Sequence, residues 1–140
     1  MTRFAVVAAA ALAAWSMVAS ARADVLVSIN KASQSMTVSV NGMPQYTWQV
    51  STGRGSYGTP TGSYRLQSLA RMHYSSKYYN SPMPHSIFFY HGFAIHGTHD
   101  ISRLGGPASH GCVRLHPENA AVLFSLVRRE GVDSTRIEIQ

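Results

Sequence analysis

The chain has a single cysteine, Cys112, among 140 residues, so no intramolecular disulfide can staple it. Acidic residues are also scarce: six Asp and Glu against twelve Lys and Arg give a formal net charge of +6. An excess of this size could favour an acidic polymer. The cations are scattered, however, from Lys31 through Arg54, Arg65 and Arg71 to Arg136, and no basic run interleaved with aromatics occurs. The electrostatic footprint of a nucleic-acid binder is therefore missing. Missing too is an apolar run of the roughly 20 residues that a membrane-spanning helix needs. The most apolar stretch, Phe4 to Val18, is shorter and breaks into Ser20-Ala21-Arg22. No internal repeat is visible. Gly53-Arg54-Gly55 lacks the Gly-Lys-Ser/Thr step and following helix of a phosphate cradle.

What the first residues do carry is an export pattern. Arg3 supplies a positive start, Phe4 to Val18 an alanine- and valine-rich core, and Ala21-Arg22-Ala23 the small-x-small pattern of a signal-peptidase site. Residues 1–23 are expected to be a signal peptide cleaved after Ala23, and 24–140 a single domain. Loss of Arg3 and Arg22 takes the net charge from +6 to about +4. The expected location is the bacterial envelope, periplasmic or secreted, with no integral membrane segment after cleavage. In that compartment an unpaired thiol is a liability, since it can oxidise or cross-link. Its retention points to a nucleophile.

Period-two alternation dominates the rest of the chain. Val25, Val27 and Ile29, then Met36, Val38 and Val40, line one face of two strands. Asn41-Gly42 signals a hairpin into a third strand around Tyr46 to Val50. Glycine, threonine and serine from Ser51 to Ser63 predict a shaped loop leading to the strand Tyr64-Arg65-Leu66. Arg71 to His85 has no regular apolar period and is expected to be a loop or flap. Ile87 to Tyr90 and Phe93 to Ile95 predict two strands joined at His91-Gly92, which puts His96 at a strand end. One helix is predicted: Pro117 opens it, Ala120, Leu123, Phe124 and Val127 form its stripe, Arg128 and Arg129 suit its last turn, and Gly131 caps it. Thr135 to Ile139 predicts a last strand. The expected fold class is mainly β, a β-sandwich or partly closed barrel of mixed sheets, with one substantial α-helix.

A thiol attacks a carbonyl carbon as the thiolate, and an ordinary cysteine is mostly protonated at neutral pH. A neighbouring imidazole can take the proton, hold the resulting ion pair and later protonate the leaving amine. The candidates are His96, His99, His110 and His116. His96 is favoured, because a base on a separate strand can face the nucleophile across a cleft. His110, two residues before Cys112, could share its face on an extended stretch, though the turn at Gly111 leaves this open. Gly111 allows a bend that aims the Gly111 and Cys112 N–H groups at an oxyanion. His73, His85, His91, His99 and His116 read as loop or surface residues. Asp100 fits either an orienting acid or a turn residue. A zinc site drawn from His96, His99, His110, Cys112 and His116 has enough ligands but no recognised spacing, and no His-Glu-x-x-His step occurs.

His96-Gly97-Thr98 and Ser109-His110-Gly111-Cys112-Val113-Arg114-Leu115 together resemble the signature of the YkuD-type L,D-transpeptidase catalytic domain. The similarity extends over the early strands, Ser51-Thr52-Gly53, Thr59-Pro60-Thr61-Gly62 and the approach from Pro84 to Ile95, nearly all of residues 24–140. The resemblance implies Cys112 as nucleophile and His96 as proton donor and acceptor. Gly97, Ser109, His110, Gly111 and Arg114 match the motif and are expected to bind substrate or shape the oxyanion site, with Arg114 orienting the peptide or bracing the loop. The implied donor is a tetrapeptide stem of peptidoglycan: attack at the L-centre of position three releases D-alanine, and an amine resolves the thioester into a 3-3 cross-link. Water as acceptor would give an L,D-carboxypeptidase. A non-catalytic wall-binding module and a zinc-binding module are the other readings. No cofactor or metal is implied, the partner is the stem peptide, and a monomer is expected.

Overall fold

The computed structural model of the protein describes residues 23–140. The expected signal peptide thus lies outside the described residues except for Ala23. β1 (Val25–Asn30), β2 (Ser35–Val40) and β3 (Met43–Gln49) form an antiparallel meander. Val25, Val27, Ile29, Met36 and Val38 are buried on one face, as the alternation requires. Asn41 and Gly42 turn the hairpin with φ of 50° and 80°, a pair of left-handed positions that these two residue types accept. β3 begins at Met43, earlier than the pattern implied, because its mostly exposed side chains carry no apolar period. β4 (Gly62–Arg65) and β9 (Thr135–Ile139) complete a five-stranded sheet in the order β3-β2-β1-β9-β4, with β9 parallel to β1.

The second sheet has four strands in the order β5-β6-β7-β8: β5 (Ser68–Tyr74), β6 (Pro82–Tyr90), β7 (Phe93–Gly97) and β8 (Val113–Leu115). The loop expected over 71–85 is confined to residues 75–81. β5 is largely exposed, which hides its period. Pro82 and Pro84 lie opposite Tyr74 and Met72 of β5, in the part of β6 before pairing with β7 begins at Ile87. One edge there lacks a partner strand, which is where a strand tolerates proline. β8 is too short to signal itself in sequence.

α1 (Pro117–Glu130) starts where expected, but its cap was not foreseen: His116 Nδ1 accepts the Glu118 N–H at 3.2 Å. His116 is therefore a helix cap rather than a loop residue. Ala120, Leu123, Phe124, Leu126 and Val127 face inward and join residues of both sheets in one apolar core. The architecture is the expected mainly β domain, two mixed sheets with one helix. Among the described residues no helix is long and apolar enough to cross a membrane.

Candidate active site

β7 and β8 run parallel with Ile95 opposite Val113, His96 opposite Arg114 and Gly97 opposite Leu115. Ile95, Val113 and Leu115 point into the core and are fully buried. Side chains alternate along a strand, so His96, Arg114 and Cys112, the residue just before β8, face the other way. All three line a cleft of about 660 Å³, walled further by His73, Phe88, the 75–81 loop and residues 98–100. Two residues sixteen apart in sequence thus come to one surface through strand register.

His96 is buried, and its Nδ1 lies 2.7 Å from the Gly97 carbonyl oxygen. A carbonyl can only accept, so Nδ1 carries the proton and Nε2 is left as the acceptor. Burial is the main cause that lowers the His96 pKa to about 4, against the Gly97 hydrogen bond, and the positive charge of Arg114 lowers it further. Gly97 earns its place by contact: a Cβ there would stand 3.3 Å from Ala120 and 3.2 Å from Pro84. The glycine lets α1 approach the strand and fixes the carbonyl that orients His96. Burial also pushes the Cys112 thiol up, while a backbone hydrogen bond at Ala94 and the charge of Arg114 pull it down. Burial thus favours the uncharged form of both groups, a thiol and an imidazole.

The turn carrying Cys112 is held from several sides. Gly111 has φ of 124°, and a Cβ there would lie 2.5 Å from a ring carbon of Phe93, so no side chain fits. Ser109 Oγ accepts the Gly111 N–H at 3.0 Å and donates to the Cys112 carbonyl at 2.6 Å. Thr59 Oγ1 donates to the Gly111 carbonyl at 2.7 Å and accepts the Gly53 N–H at 2.9 Å. The Gly111 N–H expected at an oxyanion is thus engaged by Ser109. Ser109 is buried, lines the cleft and braces the turn.

A family model for the YkuD L,D-transpeptidase catalytic domain matches residues 24–139. The chain belongs to this family. The YkuD protein of Bacillus subtilis (strain 168) is 24% identical over 105 residues, which cover 72% of this chain and 59% of that protein. The solved L,D-transpeptidase of Mycobacterium smegmatis superposes with a TM-score of 0.76 at 23% identity, over 84% of this chain and 59% of its own. An L,D-transpeptidase solved in complex with imipenem superposes at 0.75 with 26% identity and the same coverages. The chain spans about three fifths of the length of these relatives.

Around the L,D-transpeptidase motif, the remaining residues divide by contact. His110 is drawn out of the cleft floor: its ring stacks on Tyr78 at 4.1 Å, meets the edge of Tyr57 at 4.8 Å, and its Nε2 lies 3.3 Å from Arg54 Nη2. Since a guanidinium only donates, Nε2 accepts, and slight desolvation together with Arg54 and Arg114 lowers the ring's pKa. His110 therefore joins loops and is not posed as the base. Arg114 is half-buried in the cleft, and its guanidinium makes no hydrogen bond or ion pair among the described residues. Asp100 is paired with Arg103 at 3.3 Å. His73, His91 and His99, read as loop or surface residues, line the cleft, whereas His85 packs on Phe124. The contacts of Thr59 with Gly111 and of Tyr78 with His110 join distant loops, which no local pattern encodes. Among the described residues no three His, Cys, Asp or Glu side chains gather as a metal ion would need, so the zinc reading has no ligand cluster there.

Proposed function

We propose that the domain is a cysteine-dependent L,D-transpeptidase acting on peptidoglycan stem peptides, with Cys112 as nucleophile and His96 as the proton carrier. The observation that carries this reading is His96 fixed by the Gly97 carbonyl with Nε2 free, on the same cleft face as the only thiol. Because both groups rest neutral, the thiol proton passes to His96 Nε2 as the sulfur bonds to the carbonyl carbon of the L-centre at position three. The imidazolium so formed is a strong acid for its kind. It protonates the departing nitrogen as the C–N bond breaks, releasing D-alanine and leaving a thioester on Cys112. An acceptor amine then attacks the thioester, His96 takes its proton, and the thiolate leaves and is reprotonated. Diaminopimelate as the amine gives a 3-3 cross-link. Water in the same position gives a tripeptide, the L,D-carboxypeptidase outcome.

Arg114, half-buried and with no hydrogen bond or ion pair among the described residues, is proposed to hold a carboxylate of the stem peptide. Residues 1–23 are proposed to direct export to the bacterial envelope, where that polymer lies, and the mature protein should then begin at Asp24. Mass spectrometry after exposure to a carbapenem tests the central assignment: one adduct located on Cys112 is expected. An unmodified folded protein would overturn it. Incubating wild type and Cys112→Ala with tetrapeptide muropeptides then separates dimer formation from tripeptide release.

A further inference from the structure

At one side of the cleft three aromatic rings meet in a row, and a fourth, Tyr79, lines the cleft beside them. Tyr57 meets His110 edge-on at 4.8 Å, His110 stacks on Tyr78 at 4.1 Å and 12°, and Tyr79 follows Tyr78 at the tip of the 75–81 loop. These rings come from three segments far apart in sequence. We propose that this row is a binding platform for the glycan strand of peptidoglycan, a chain of N-acetylated hexosamine rings. The proposal rests on the reading above that the cleft takes a stem peptide.

Three observations carry it. Tyr79 is 100% exposed, and Tyr57, though its ring meets His110, is still 43% exposed, so both rings are offered to solvent. Tyr79 also sits at φ of 54°, a left-handed conformation that a bulky residue rarely adopts. Finally, the loop that presents it is internally fastened. Ser75 Oγ accepts the Tyr78 N–H at 3.0 Å, the Ser81 N–H donates to the Tyr78 carbonyl at 3.0 Å, and the Ser75 N–H donates to the Ser81 carbonyl at 3.0 Å. With Tyr78 stacked on His110, the ring of Tyr79 is held out from a fixed base, which lowers the ordering cost of binding.

Sugar rings suit such a surface, because their C–H faces lie on an aromatic ring while the hydroxyl groups stay in water. A stem whose third carbonyl meets Cys112 has that residue's own N–Cα span, two further residues and a linking acyl group between that carbon and its sugar, roughly 14 Å when extended. The sugar is thus tethered well away from the reacting carbon.

The test uses glycan strands stripped of their stems by an amidase, so that no reaction is needed. Wild type and Cys112→Ala should be retained on immobilised stripped strands, Tyr79→Phe should be retained equally, and Tyr79→Ala and Tyr57→Ala should bind at least about fivefold more weakly. In turnover, Tyr79→Ala should lower activity on a glycan-linked tetrapeptide more than on the sugar-free tetrapeptide. No retention of wild type, or equal retention of Tyr79→Ala, overturns the platform. A failed carbapenem adduct with retained glycan binding would instead overturn the catalytic reading alone.

Discussion

The two sheets share one core but put their outer faces to different uses. On the five-stranded sheet the outward positions of β1, β2 and β9 are polar or charged apart from Leu26, as with Arg136 and Glu138, which pair with each other at 2.9 Å in solvent. On the four-stranded sheet the outward positions of β7 and β8 are His96, Cys112 and Arg114, covered by loops and shifted in pKa. One sheet therefore spends its second face on solubility, and the other on a partly dry cleft. A desolvated thiol and imidazole are tolerable only because neighbouring strands fix them, the Gly97 carbonyl on one side and the Ser109 brace on the other. Stability and chemistry should consequently separate when each sheet is disturbed.

The sharpest break of that contrast pairs two substitutions. Cys112→Ala removes the proposed nucleophile from a partly exposed position, and turnover should fall by at least about a thousandfold while the thermal midpoint stays nearly unchanged. Leu123→Ala empties a fully buried position of α1 in the shared core, and should cost about 2–5 kcal/mol of stability. The fraction still folded should nevertheless react with a carbapenem at Cys112. Measuring denaturant midpoints and acylation rates for both variants checks the separation; a Leu123→Ala protein that folds but cannot be acylated would show that core and cleft are one unit.

Legibility in the sequence follows the same division. β1, β2 and β9 announce themselves because one face is buried and the other wet, so Val25, Val27, Ile29, Ile137 and Ile139 keep strict alternation. β5 and β8 do not. Loop cover or general exposure blurs the first, and the second has only three residues. At the site, the residue types and motif single out Cys112 and His96 as the candidate pair. What the chain does not spell out locally is the burial that shifts both groups toward their uncharged forms, because it comes from elements distant in sequence. Likewise, nothing near Ser109 says that its hydroxyl occupies the Gly111 N–H, and nothing near Thr59 says that it reaches Gly111. The Thr59 contact spans more than fifty residues and the Ser109 contact depends on the conformation of the turn, so only the fold displays them.

Acid should probe the buried imidazole. The unfolded chain's histidine takes a proton below about 6.5, whereas folded His96 does so only near 4. Between those values the unfolded state holds more protons, so stability rises with pH across the window and is lost as pH falls through it. The gap corresponds to about 3 kcal/mol, complete by the time the pH drops below 4. Denaturant titrations at pH 4 and pH 7 should show this difference, and His96→Gln should flatten the slope. Carbapenem acylation should likewise show no His96 inflection near pH 6.5, because the acceptor nitrogen stays unprotonated well below it. An inflection at that ordinary value, removed in His96→Gln, would mean that the imidazole is solvated in solution.

The smallest expected effect concerns the brace. Ser109→Ala deletes the acceptor for the Gly111 N–H and the donor to the Cys112 carbonyl in one step. A buried amide left unpaired costs about 1–3 kcal/mol, so a modest drop in thermal midpoint is expected. The freed N–H makes the variant informative about chemistry as well. If the brace serves to hold Cys112 in line with His96, acylation should slow along with the stability loss, because the turn loses two of the hydrogen bonds that fix it. If acylation instead speeds up while stability falls, the Gly111 N–H acts as an oxyanion donor that Ser109 withholds at rest. The ratio of acylation rate to stability across Ser109→Ala, Ser109→Thr and wild type decides between these. Ser109→Thr retains the hydroxyl, so it should restore whichever property the hydrogen bonds supply.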